Sequence, residues 1–265
     1  MAKMALCIKR QDLVDLNRIL RYPELNGQML ADAPAEFLRL ATTLEDRATC
    51  ETDPSLLQLL PYVLIQRADT GQYFMYCRGK GGAEARLHGN LSIGVGGHVD
   101  TAAPKTVQMF EGMDTIESDL MAHLDNEAVR EVTEELGIRF LAQDEDPAEV
   151  EFQDLMEVPP NMWTGTLIYD DTNEVGKVHL GLLFTLVIAD ASVLGSEEVG
   201  VIEGSQWLHP HEFLNPDVYS RLENWSKIVA TTLQELVEEE EEEEDEADEA
   251  DEADATEDDI FRLPA

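Results

Sequence analysis

The period of apolar positions changes near residue 60. Before that point, Leu13, Leu16, Ile19 and Leu20 recur at helical spacing, as do Phe37, Leu38, Leu40 and Ala41. Residues 1–58 therefore read as a helical N-terminal extension. Asp53-Pro54 ahead of the run SLLQLL has the form of a cap followed by a first-turn proline, which predicts a further helix start. From Pro61 the runs PYVLIQ and QYFMYCR are strand-like, and Ala68-Asp69-Thr70-Gly71 between them signals a hairpin. A glycine-rich stretch and a short strand at Asn90–Ile93 follow. Residues 101–115 show no clear period and read as a loop or insertion.

Ser118 to Leu136 is a predicted helix stopped by Gly137. Strands are predicted at Val150–Val158, Met162–Tyr169, Lys177–Ile188 and Gly200–Leu208. A last helix is expected to start near Pro216-Asp217. Its seam of Val218, Leu222, Trp225, Val229, Thr232 and Leu236 suits packing against its own domain. The order of elements predicts an α/β fold with its main domain at 59–237, C-terminal helix included. Residues 238–265 form an acidic tail that cannot bury apolar surface and is expected to be disordered.

Charge narrows the function classes. The chain of 265 residues has 56 acidic and 18 basic side chains, a net charge of −38. Glu238 to Asp259 holds 17 of the acids and no base, yet residues 1–237 alone still carry −22. Neither a nucleic-acid duplex nor an anionic membrane is an expected partner, since both need clustered Lys and Arg. Cys7, Cys50 and Cys77 are odd in number, widely spaced and free of any CxxC, which suits a reducing interior. With no apolar leader in MAKMALCIKRQDL, a cytoplasmic location is expected. Residues 67–88 are an exception to the negative background at net +2. Arg78, Lys80 and Arg86, beside Gly79, Gly81 and Gly82, are candidate contacts to a substrate phosphate.

The predicted helix at 118–136 carries the most chemistry. At 100° per residue, Leu124, Ala128, Val132 and Leu136 form one apolar stripe. Glu131 lies at its edge, and Glu135 falls inside it. Glu127, Glu131 and Glu135 are each four apart, so they repel along one side. An unpaired buried carboxylate is costly, and a hard divalent cation would relieve both problems. Arg130 can pair with Glu134 one turn on. The lone His98 reads first as structural, and His209 and His211 lack partners at zinc spacing. Trp163 and Trp207 read as core residues on which a base could also stack.

The run Arg130-Glu131-Val132-Thr133-Glu134-Glu135-Leu136-Gly137-Ile138 resembles the second half of the Nudix box, and Gly96-Gly97-His98-Val99-Asp100 resembles its opening glycine pair. The resemblance covers roughly residues 60–215. Two departures stand out. There are 32 residues between Gly97 and Arg130, about 19 more than the box has, and the glutamate that precedes the box arginine by eight is Ala122 here. Asp100, Glu117 or Glu127 could stand in for it. The resemblance implies a mixed sheet sandwiched between helices and a Mg²⁺ or Mn²⁺ site. Glu131 and Glu135 would be main ligands, Glu134 a further ligand or water-orienting group, and the Gly97 carbonyl would complete the shell. Arg130 would hold the glutamates. Glu157, Glu197, Glu198 and Glu203 are candidates for the general base.

The expected function is metal-dependent hydrolysis of a phosphoanhydride or phosphoester in a nucleoside diphosphate-linked or similar small substrate. The alternative is a catalytically weak Nudix-fold module that binds a nucleotide or a partner protein. A protein partner for the acidic tail and a homodimer are further expectations.

Overall fold

In a computed structural model the chain is described over residues 3–21, 28–30, 33–79, 87–99, 116–140, 155–156, 162–189 and 202–239, with backbone alone at 28–30, 116–119, 139–140, 155–156 and 202–203. The architecture follows from a strand apolar on both faces. β4 (Leu56–Arg67) sends Leu57, Leu59, Val63 and Ile65 to one side, and Tyr62 and Leu64 to the other. A strand buried on both faces belongs inside a sheet with a layer on each side.

β11 (His179–Ile188) runs parallel to β4 with His179 opposite Gln58 and Ile188 opposite Arg67. It partitions the same way, with Leu182, Phe184 and Leu186 against Leu183. The main sheet runs β12-β5-β4-β11-β10-β2, where β2 is Gln28–Leu30, β5 is Tyr73–Arg78, β10 is Trp163–Tyr169 and β12 is Ile202–Leu208. β6 (Leu91–Ser92) joins β5, and β7 (Gly94–Val95) joins β4 at Val63 and Leu64.

One face is covered by helix Ile116–Leu136, which places Leu120, Leu124, Ala128, Val132 and Leu136 in the larger core cluster with exposures of 2% or less. The other face is covered by a helix over residues 224–239. Its Val229 and Ala230 are fully buried with Tyr62, Leu64 and Leu183, and Trp225 meets the Tyr62 ring edge-on at 5.8 Å. The predicted mixed sheet between helices is what the chain forms.

The segment 1–58 is not the helical extension its periodicity suggested. It contains β1 (Met4–Lys9), α1 (Arg10–Leu20), β2, α2 (Ala35–Ala41), β3 (Thr43–Asp46) and α3 (Arg47–Cys50). β1 pairs antiparallel with both β3 and the start of β4. The period of two explains this: Leu6 and Ile8 enter the main core, while Ala5 and Cys7 pack with Cys50 on the other side. The helix expected after Asp53-Pro54 is instead the start of β4, where pairing with β1 and β11 outweighs a local capping signal. A boundary at 58/59 therefore falls inside a strand.

We number the remaining helices α4 (Ile116–Leu136), α5 (Pro210–Phe213), α6 (Pro216–Tyr219) and α7 (224–239). The single helix expected from Pro216 is interrupted. At the break, Leu91 N–H donates to Arg221 O at 2.9 Å and Glu223 N–H donates to Leu91 O at 2.9 Å, so the backbone bonds to β6 rather than to itself. The strand expected at Val150–Val158 is described only at β9 (Leu155–Met156), which pairs in parallel with β8 (Arg139–Phe140). The insertion at 101–115 and the tail from residue 240 lie outside the described residues.

Candidate active site

Helix α4 ends where Gly137 takes φ 64°, a left-handed value that suits glycine, and its N–H bonds Thr133 O at 2.9 Å. The last two turns before that stop carry the glutamates. Glu131 and Glu127 are each only 8% exposed, Glu135 is half-buried and Glu134 is exposed. Arg130 gathers three of them. Its guanidinium lies 2.9 Å from Glu127 Oε2 and 2.7 Å from Glu134 Oε2, and contacts Glu131 Oε1 directly. Burial pushes the Glu131 carboxyl above its ordinary value, and Arg130 pulls it partly back.

The loop after β7 closes over this helix. Arg130 Nη2 donates to the His98 carbonyl at 3.0 Å, which ties the loop to the glutamate cluster. A Cβ at Gly97 would lie 2.5 Å from both Glu131 carboxylate oxygens. A Cβ at Gly96 would overlap the Pro61 carbonyl of β4. The glycine pair thus lets the loop pass between the sheet and the Glu131 carboxylate. Glu135 lies on the sheet side, where the Tyr76 hydroxyl sits 3.3 Å from its Oε2 and 3.2 Å from Gly94 O. Burial holds that phenol protonated, so its one proton serves two acceptors.

The structure brings Gly97, Arg130, Glu131 and Glu134 together, with Glu135 on the neighbouring face of the same helix. Of the stand-ins considered for Ala122, Glu127 is joined to Arg130, whereas Ala122 itself points to solvent. Asp100 and the Glu117 side chain lie outside the described residues, as do Glu157, Glu197, Glu198 and the side chain of Glu203. Lys80 and Arg86 are likewise outside them.

Arg78 is committed elsewhere. Its Nε donates to Glu223 Oε2 at 2.9 Å and its Nη2 lies 3.3 Å from Oε1. Glu223, 6% exposed, also accepts from Ser92 Oγ at 2.7 Å. This pair joins β5 to the start of α7, and no local spacing announces it because its partners are 145 residues apart. Trp163 and Trp207 pack on the main core, as expected. His209 caps α5 through a reciprocal pair with Glu212, and His211 stacks on its ring at 5.9 Å.

The donor set fits a hard divalent cation. Glu127, Glu131, Glu134 and Glu135 offer carboxylate oxygens, the donors that such a cation takes. The pocket against Gly97 is shaped around a carboxylate rather than an apolar side chain.

No family model matches the chain. It is 35% identical over 188 residues to Protein YmaB of Bacillus subtilis, across 71% of this chain and 76% of that protein. Among solved structures, Tm1382, a protein classed with the Nudix hydrolases, superposes with a TM-score of 0.55 at 23% identity, covering 88% of this chain and all of that one. No helix among the described residues is long and apolar enough to cross a membrane. With the RExxEExG run on a helix, the glycine pair against its glutamate and the shared mixed sheet, the chain has the fold of the Nudix hydrolase structures, and it belongs to the same family as YmaB.

Proposed function

We propose that the protein hydrolyses a phosphoanhydride or phosphoester bond in a small nucleotide-like substrate, in a Mg²⁺- or Mn²⁺-dependent reaction. The observation that carries this reading is the buried Glu131 carboxylate, held by Arg130 and facing Gly97 across a gap with no room for a side chain.

Glu131 and Glu135 would hold the metal with the Gly97 carbonyl, and Glu127 takes the role of the missing box glutamate. The metal would neutralise charge developing on the phosphoryl oxygens. Arg130 keeps Glu127, Glu131 and Glu134 from repelling one another apart, so the donors stay in place before substrate arrives. Glu134, the exposed member, is free in orientation on its outer side and suits alignment of the attacking water. One of Glu157, Glu197, Glu198 and Glu203 would take its proton. Because Arg78 is held by Glu223, Lys80 and Arg86 are the better candidates for phosphate contacts.

A substrate panel tests this: ADP-ribose, dinucleoside polyphosphates and nucleoside triphosphates, each with Mg²⁺ and with Mn²⁺, products read by mass. Metal-dependent release of phosphate-bearing fragments from one class is the expected result. Calorimetric binding without any cleavage would favour the weak binding module, for which the solvent-facing Ala122 speaks.

A further inference from the structure

A second cluster of ligand-type side chains lies beside the glutamate helix but on different elements. Glu51 follows α3, His98 follows Gly97 in the box loop, and His179 opens β11. Their ligand atoms all lie within 4.8 Å of one another. His179 Nε2 is 3.2 Å from His98 Nε2, and His98 Nε2 is 3.5 Å from Glu51 Oε1. A tetrahedral zinc with Zn–N bonds of about 2.0–2.1 Å separates its ligand atoms by about 3.3–3.4 Å. Two of the cluster's three separations are close to such an edge, and the third is no longer than 4.8 Å.

The tautomer of His179 agrees. Its Nδ1 lies 2.7 Å from Val175 O, and a carbonyl can only accept. The proton is therefore on Nδ1, which leaves the Nε2 lone pair directed at His98. A backbone carbonyl orienting the far ring nitrogen is the usual support of a histidine ligand. His179 is also 3% exposed within the most apolar run of the chain.

An independent observation comes from β4. Gln58, opposite His179 in the sheet and 1% exposed, places its Nε2 3.3 Å from His179 Nε2, while its Oε1 is buried with no partner among the described residues. His98 and the Gln58 amide thus converge on one lone pair, and a buried amide oxygen lacks a donor. Turning the amide over, which only exchanges its oxygen and nitrogen, directs the oxygen into the cluster as a fourth donor.

The geometry points to a transition-metal site formed by Glu51, His98 and His179, with Gln58 or water completing it, separate from the carboxylate site and selective for a borderline cation such as Zn²⁺ rather than Mg²⁺. Two imidazoles and one carboxylate suit zinc or cobalt, whereas Mg²⁺ takes oxygen donors. Because the His98 carbonyl is held by Arg130, the bound ion would pin the box loop from its other side and link it to the N-terminal segment.

Cobalt titration of the full chain tests this with a readout independent of hydrolysis. In excess Mg²⁺, one Co²⁺ per chain is expected to give the strong visible absorption of a tetrahedral centre, and Zn²⁺ is expected to displace it. His98→Ala and the exposed-site variant Glu51→Gln should each weaken Co²⁺ at least about tenfold, while Glu131→Gln leaves it bound. Circular dichroism checks that each variant is folded. Absence of a tetrahedral Co²⁺ spectrum in the wild type overturns the site, as does a spectrum that survives both substitutions or disappears in Glu131→Gln.

Discussion

At position 97 the lack of a side chain lets the Glu131 carboxylate sit against the loop. A methyl group there lies 2.5 Å from both carboxylate oxygens, so Gly97→Ala must displace a buried group that Arg130 also holds. Misplacing a reacting group by about 1 Å can cost about 10²-fold in rate. Gly97→Ala is therefore expected to lower kcat by about that factor with its far-UV spectrum retained. Unchanged kcat would mean that the gap is not part of the site. Cys50 gives a second prediction. Burial, and then Cys7 beside it, raise its thiol from 9.0 to about 12. The folded chain therefore keeps a proton that the unfolded chain releases, so this contribution is complete below pH 9 and lost as pH rises toward 12. Urea midpoints should fall through that window, less steeply in Cys50→Ala; equal slopes would refute it. The glutamates were legible in the sequence because helical angles alone place Glu131 and Glu135 beside the apolar stripe. Glu223 and Glu51 were not, because their partners come from distant elements and no local period marks them.

Helix α4 was legible as an element for the same reason, since stripe and stop signal agree. The N-terminal strands were not. Ala5 to Ile8 is apolar at every position, and such a run carries no period by which to choose helix or strand until its neighbours β3 and β4 are known. The interruption before α7 was equally hidden, because it is imposed by Leu91 across the sheet. Integration of the first segment has a consequence that can be measured. Leu13 is fully buried in the main cluster with Val63 and Leu124. Leu13→Ala should cost about 2–5 kcal/mol within one cooperative transition. Loss of the segment in a separate early transition, leaving the rest folded, would contradict it.

Across the whole molecule the excess of acid has separable origins. The run from Glu238 to Asp259 accounts for 17 of 56 acids. Four more are on α4, where Arg130 pairs with Glu127, Glu131 and Glu134 and Tyr76 meets Glu135. The remaining excess repels itself at the surface, and salt screens such repulsion over about 10 Å at 0.1 M. The melting temperature should accordingly rise with KCl, as calorimetry can read; a value indifferent to KCl would show that the surface charge has no bearing on stability.

The most direct test of the account is the turnover of wild type and Glu131→Gln on the best substrate of the panel, with and without Mg²⁺. Glu131 is buried, held by Arg130 and opposed to Gly97, and glutamine keeps its shape while removing its charge. The wild type is expected to be metal-dependent and the variant to be reduced by at least about 10²-fold in kcat with its melting temperature preserved. A folded Glu131→Gln protein that hydrolyses like the wild type would contradict it.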